Sequence, residues 1–188
     1  MALTKITDAS VEPVTTADVE TQLRLEPGTE TAYLQALITA ARTEAENRMQ
    51  RTLLSTTWRL LLDQFPDAIR LQMPRIIGVQ AVQYVDELGA LQTLDPTLYS
   101  VDIGSEPGWI VPAWDQVWPS TREQINAISV VYSAGYGNSA ALVPAPIRQW
   151  ILLAVGEMYN NRERGAVKPS VPHEFVDGLL DTYRVRGV

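Results

Sequence analysis

The sequence predicts an α+β protein. A helical framework, two N-terminal helices with one long and one short C-terminal helix, carries an inserted antiparallel β unit, a small sandwich or barrel. Three observations lead there. Apolar residues recur with a helical period up to Leu54. From Ser55 the period falls to two, and Gly, Pro and Asp turns interrupt it every few residues. After Gly137 a helical period returns in a strongly apolar stretch. The expected division is 1–54 as the N-terminal helical part, 55–135 as the β unit, and 136–188 as a C-terminal helical part packing on the N-terminal helices.

Thr15-Thr16-Ala17-Asp18 reads as a helix entry, since a threonine N-cap with an acidic residue three positions on approximates a capping box. That helix runs through Leu23 and ends near Glu26-Pro27-Gly28. Thr29 is expected to cap a longer helix reaching about Arg51. Leu34, Leu37, Ile38, Ala41, Ala45 and Met49 mark its apolar face, and Arg42, Glu46 and Gln50 a polar one. Ala41 and Ala45 are small enough for another helix to approach closely.

Strand patterns follow at Thr56–Leu62, Ala68–Met73, Val79–Val85, Ala90–Leu94, Leu98–Ile103, Trp109–Val111 and Ile125–Ser133. Asp86-Glu87-Leu88-Gly89 is a hairpin turn between the third and fourth of these. Gly135 and Gly137 end the last strand, and Pro144 and Pro146 suit the start of a helix, whose first N–H groups lack partners anyway. Ile147, Trp150, Ile151, Ala154, Val155 and Met158 line one face of that helix. Leu152 and Leu153 point elsewhere, so the helix is expected to be apolar on two sides, one for its own core and one for a partner. Gly165 to Pro172 reads as a loop, and Phe175, Leu179, Leu180 and Tyr183 as a short last helix before the basic end Arg184-Val185-Arg186.

The chain has 188 residues and no cysteine, so disulfides, cysteine zinc sites and thiol catalysis are excluded. A single histidine, His173, rules out a multi-histidine metal site within one chain. No signal peptide is visible, and the apolar run Trp150–Val155 is too short to span a bilayer, so a soluble protein made in a cytoplasm is expected. The net charge of −7 is unevenly spread. Residues 1–54 carry 5 basic and 8 acidic residues, 55–143 carry 4 and 9, and 144–188 carry 6 and 5. So acidic a chain is poorly suited to gripping nucleic acid, where affinity comes mostly from neutralising phosphates.

Gly135-Tyr136-Gly137 follows a strand as a dinucleotide loop would, but the third glycine is missing and two prolines separate it from the helix, which favours a plain turn. His173-Glu174 lacks a second histidine, and adjacent residues on a helix point about 100° apart; a first helical turn with a stabilising glutamate is the simpler reading. Trp58, Trp109, Trp114 and Trp118 concentrate in the β unit, as core or subunit contacts in the first instance and as a sugar-stacking surface in the alternative. Asp86, Asp95, Asp102 and Asp115 sit beside turn residues and are read as turn formers over calcium ligands. No catalytic constellation stands out; no enzyme, metal or cofactor is expected.

The order of segments resembles the head–tail connector (adaptor) proteins of long-tailed bacteriophages and phage-derived gene transfer particles. The resemblance runs through Pro13-Val14-Thr15, Leu23-Arg24, Ala40-Ala41-Arg42, Thr57-Trp58, Phe65-Pro66 and Leu94-Asp95-Pro96…Tyr99. It continues through Trp118-Pro119, Gly135-Tyr136-Gly137, Val143-Pro144…Ile147, Tyr159…Arg162 and Leu179-Leu180…Tyr183-Arg184-Val185, and so covers nearly the whole chain. The β unit departs from the purely helical members. The resemblance implies a structural virion protein made in the host bacterial cytoplasm. It would form a ring, commonly of twelve copies, below the portal protein, extend the channel through which DNA passes without specific binding, and present a platform to the next tail-completion or stopper protein. Trp150, Leu153, Arg162, Tyr183, Arg184 and Arg186 are the candidate subunit or portal interface. The alternative is a carbohydrate-binding or tail-associated recognition module resting on the tryptophans.

Overall fold

The change of period at Ser55 marks where the chain passes from one structural unit to the other in a computed structural model that describes residues 1–161 and 174–185. One unit comprises residues 1–9 and 55–137; the other comprises 10–54 and 138–188. The class is α+β, with four helices and two antiparallel sheets among the described residues.

The first unit holds eight strands: β1 (Ala2–Thr7), β2 (Thr56–Leu62), β3 (Ile69–Leu71), β4 (Ile76–Val85), β5 (Leu91–Thr93), β6 (Tyr99–Asp102), β7 (Gly108–Pro112) and β8 (Ile128–Ala134). They form a five-stranded sheet in the order β1-β2-β8-β4-β5 and a three-stranded sheet in the order β3-β7-β6. Neither sheet closes into a barrel; both lend side chains to one apolar core. Ile128, Val130, Tyr132 and Ala134 of β8 are buried in strict alternation, and Trp58, Leu60 and Leu62 of β2 meet them from the neighbouring strand. Ile69, Leu71 and Ile110 complete the core from the smaller sheet. Burial of each such side chain contributes roughly 1.5–3 kcal/mol. The Tyr132 hydroxyl donates to the Gln72 carbonyl at 2.8 Å, so the phenol enters the core without an unmet donor. Gly108 is needed for close approach: a Cβ there would lie 2.8 Å from Ile76 Cγ1 and 2.9 Å from the Asp102 carbonyl oxygen. Entry and exit of the chain lie side by side, since the Ser55 N–H donates to the Gly137 carbonyl at 3.0 Å.

Residues 2–7 depart from the sequence expectation, which placed them with the helical part. They pair antiparallel with β2 in the register Ala2↔Leu61 to Lys5↔Trp58, as an edge strand of the larger sheet. Of its residues only Leu3 is even half-buried, so the segment carries little side-chain alternation to announce it.

The second unit holds α1 (Thr16–Leu23), α2 (Thr31–Met49), α3 (Ala145–Asn160) and α4 (Glu174–Asp181). The predicted capping box of α1 is formed: Asp18 N donates to Thr15 Oγ1 at 3.1 Å, and Asp18 Oδ2 accepts from the Thr15 N–H at 2.8 Å. Thr29 does not cap α2. Its hydroxyl donates to the Glu26 carbonyl, Glu30 is the N-cap residue without a side-chain bond, and the helix ends at Met49, with Gln50 left-handed at φ 54°. Helix α3, 16 residues and about 24 Å long, buries Ile147, Trp150, Ile151 and Val155. It packs against α1, α2 and α4. Its buried residues all belong to the one face the period marks, and Leu152 and Leu153 remain half-buried. Gly156 faces Leu23 of α1, where a Cβ would lie 3.5 Å from Leu23 Cδ2. Ala41 and Ala45 of α2 are fully buried, as their small size suggested.

Candidate functional site

The residues expected to meet a partner have different surroundings. Trp150 is only 3% exposed. Its indole N–H donates to Asp177 Oδ1 at 3.3 Å, and the Arg48 guanidinium lies 5.4 Å from the ring centroid. Arg48 also binds Asp177 at 2.8 Å and Glu44 at 2.6 Å, and the Glu44 bond is the main cause of its raised pKa. Trp150 therefore joins α2, α3 and α4 inside the helical unit and offers almost no surface to a neighbour. Leu153 is half-buried, one or two turns from the exposed Gln149, Glu157 and Asn160. Tyr183 is half-buried, and its carbonyl accepts from Arg51 Nε at 2.9 Å. Arg184 is exposed and pairs with Asp181 at 3.4 Å. The Val185 N–H donates to the Met49 carbonyl at 3.0 Å, which holds residue 185 to the end of α2. Arg162, Arg186 and His173 lie outside the described residues.

The supposed polar face of α2 needs correcting. Arg42, 2% exposed, and Glu46 are buried, and only Gln50 of the three is exposed. Arg42 Nε binds Glu12 Oε2 at 2.7 Å and Nη1 binds Glu46 Oε2 at 3.4 Å. Glu46 Oε1 accepts the Leu53 N–H at 2.9 Å, and the Thr39 hydroxyl donates to Glu12 Oε1 at 2.8 Å. This charge cluster ties the segment before α1 and the segment after α2 to the middle of α2. Periodicity alone could not reveal it, because Glu12 lies 30 residues from Arg42.

A cavity of about 170 Å³ in the helical unit is lined by Glu20, Leu25, Glu26, Glu30, Leu34 and Tyr159. Glu20 Oε1 accepts the Gly28 N–H at 2.8 Å, and the Tyr159 hydroxyl donates to Glu30 Oε2 at 2.6 Å. These carboxylates close the α1–α2 turn and hold α3 to it. Asp18, held below the usual carboxylate range by the Thr15 backbone and hydroxyl bonds, serves the α1 cap.

In the β unit Trp58 is buried, Trp109 and Trp118 are half-buried, and Trp114 is 96% exposed. Trp118 stacks on Phe65 at 4.7 Å and 7°. Asp86, Asp95 and Asp102 bond local backbone N–H groups two to four residues on, at 2.8–3.1 Å. The Gln92 side chain at Asp86, the Ser105 side chain at Asp102 and the Thr97 N–H at Asp95 are the main causes that hold all three below the ordinary carboxylate range, aided by the other local bonds. Asp115 sits in the left-handed region at φ 61°. Gly135 and Gly137, at φ 129° and 132°, form a turn separated from α3 by a further 3-10 turn at Ala140–Leu142. Among the described residues no three His, Cys, Asp or Glu side chains gather in a metal-holding arrangement, and no helix is long and apolar enough to cross a membrane. The sequence reading took Leu88 only as part of a turn, did not single out Val117, and began the last strand at Ile125; that strand begins at Ile128, and all three side chains are exposed.

No family model and no curated protein matches the sequence. Solved structures do. The chain is similar to one from the neck of an empty gene transfer agent particle reconstructed with sixfold symmetry, at a TM-score of 0.84 and 22% identity, over 100% of this chain and 97% of that one. A chain of the virion of a native gene transfer agent particle matches at 0.81 and 23%, over 100% and 97%. A chain from the neck of the native particle, computed with twelvefold symmetry, matches at 0.78 and 23% with the same coverage. At such identities the likeness is one of fold, and it extends across both units.

Proposed function

We propose that this protein is a structural, non-enzymatic component of the neck of a tailed phage or gene transfer particle, a connector that forms a ring below the portal and joins head to tail. The observation that carries the reading is the end-to-end likeness of fold to chains of gene transfer agent necks, including one computed with twelvefold symmetry. A head-to-tail ring needs two different surfaces per copy, and a chain built of a β unit and a helical unit supplies them. An acidic chain of net charge −7 suits a channel through which DNA slides, since it withholds the phosphate contacts that would grip it. The carbohydrate-binding alternative keeps Trp114 as its one fully presented ring among the four β-unit tryptophans.

The deciding experiment is native mass spectrometry of the purified 20.9 kDa chain with and without a portal protein. A twelvefold multiple of the chain mass on the portal is expected; a chain that stays monomeric and undocked in its presence overturns the reading. Leu153, Tyr183 and Arg184 are the proposed contacts among the described residues, with Arg162 and Arg186 proposed from the sequence alone, and Trp150 braces α3 against α2 and α4. Leu153→Glu should change monomer stability by less than about 1 kcal/mol, a surface-like effect, yet lower the ring fraction. Deleting 184–188 should leave the monomer folded, lose the Val185–Met49 hydrogen bond and weaken portal docking in a salt-dependent pull-down. Full occupancy at both low and high salt would return the tail to a solvated end.

A further inference from the structure

We propose that the end of the β unit formed by the β4–β5 turn and the 113–127 loop is a docking surface for a basic neighbouring protein, not for a second copy of this chain. Four large apolar side chains on this turn and loop are almost fully exposed: Leu88 at 93%, Trp114 at 96%, Val117 at 86% and Ile125 at 79%. They are held on a fixed frame. Asp86 accepts from the Leu88 and Ala90 N–H groups at 3.0 and 2.9 Å, and from Gln92 Nε2 at 2.8 Å, which locks the turn. The loop is bound to the hairpin and its surroundings at several points. Arg122 N donates to the Val85 carbonyl at 3.1 Å, Val85 N donates to the Ala127 carbonyl at 2.9 Å, and Asn126 N donates to Asp63 at 2.8 Å. The Arg122 guanidinium lies over Gly89, where a Cβ would come within 2.7 Å of it. Trp118 anchors the middle by stacking on Phe65, which meets Tyr84 of β4 edge-on. Trp114 is set by a turn in which Gln116 N donates to the Ala113 carbonyl at 3.0 Å and Asp115 is left-handed.

A frame so pinned loses little conformational freedom when it is covered, and exposed apolar groups on it are the kind of surface that proteins use to bind. Charge selects the partner. The same turn and loop carry Asp86, Glu87, Asp115 and Glu123 against one base, Arg122. A neighbour must therefore bring an apolar hollow edged with Lys or Arg. Two copies meeting through this end would set four carboxylates against four, with one arginine on each side, which costs like-charge repulsion.

The proposal uses the neck reading only for the setting in which the partner is met. The test places the photo-crosslinking amino acid p-benzoylphenylalanine at position 117 or 125 in cells that produce the particles, and identifies the joined peptides by mass spectrometry. Both positions are exposed, so the fold should be retained, which circular dichroism of the purified variants checks. The expected result is that both positions join the same Lys- or Arg-rich segment of a different protein, and that Glu87→Lys with Glu123→Lys lowers the yield at least fivefold. Joining mainly to another copy of this chain, no joined product, or a yield indifferent to charge reversal would overturn it. Absence of the chain from purified particles would defeat the neck reading instead, and the crosslinks in whole-cell extract, with the same charge-reversal control, would still decide the docking surface.

Discussion

The β unit gathers Leu60, Ile69, Leu71, Val82, Ile110, Ile128 and Val130 into a core whose polar atoms come from Tyr132 and Trp58, and it leaves its carboxylates in exposed turns. The helical unit also buries leucines and isoleucines, yet it places Arg42, Glu46, Arg51 and Glu20 among its buried residues. The two solutions fail differently. Apolar contacts are numerous and individually replaceable, so a small change is shared among neighbours. A buried guanidinium has specific partners, and removing it strands the carboxylates it served.

The largest expected effect tests that contrast directly. Arg42→Leu takes from buried Glu46 and half-buried Glu12 the guanidinium they bind, and should destabilise the protein by about 3–5 kcal/mol. Chemical denaturation followed by far-UV circular dichroism measures it. A loss below about 1 kcal/mol would mean that the cluster is no more demanding than a surface ion pair.

Tyr132→Phe probes the polar contact within the apolar unit. It removes one hydrogen bond and leaves the Gln72 carbonyl unmet, at a cost of about 1 kcal/mol. Burial pushes the Tyr132 phenol well above its ordinary range. Its folded pKa thus exceeds its unfolded one, so its contribution is fully present below about pH 10 and falls as pH rises beyond that value. The wild-type protein should lose stability above pH 10 more steeply than Tyr132→Phe. Parallel alkaline limbs would show that the phenol titrates freely in the folded protein.

A comparably small effect falls on a cap of the helical unit. Thr15→Ala should cost about 1 kcal/mol. The Thr15 bonds depress the Asp18 pKa, so their contribution is present above about pH 4 and is lost as pH falls through the lower folded value. Melting curves between pH 7 and pH 2 should show a shallower acid limb in the variant; an identical limb would remove Asp18 from the acid response.

The sequence by itself determined most of the elements and their chemistry. The β8 alternation, the Asp86 turn, the Thr15 capping box and the proline-gated start of α3 are local patterns, set by side-chain period and turn geometry within a few residues. The tertiary structure decided what those patterns face. Arg42 and Glu46 read as a solvated stripe because the partner that makes burial tolerable, Glu12, comes from another segment. Residues 2–7 became a strand because β2, more than 50 residues away in sequence, offered an open edge. Trp150, expected at an interface, turned inward because Asp177 and Arg48 meet it there, from 27 residues ahead and from α2. The predicted core face of α3 is covered by three helices of its own unit, while Leu152 and Leu153 stay half-buried. Each of these outcomes rests on a partner distant in the chain, and a local period carries no record of which distant group will satisfy a charge, an edge or an indole N–H.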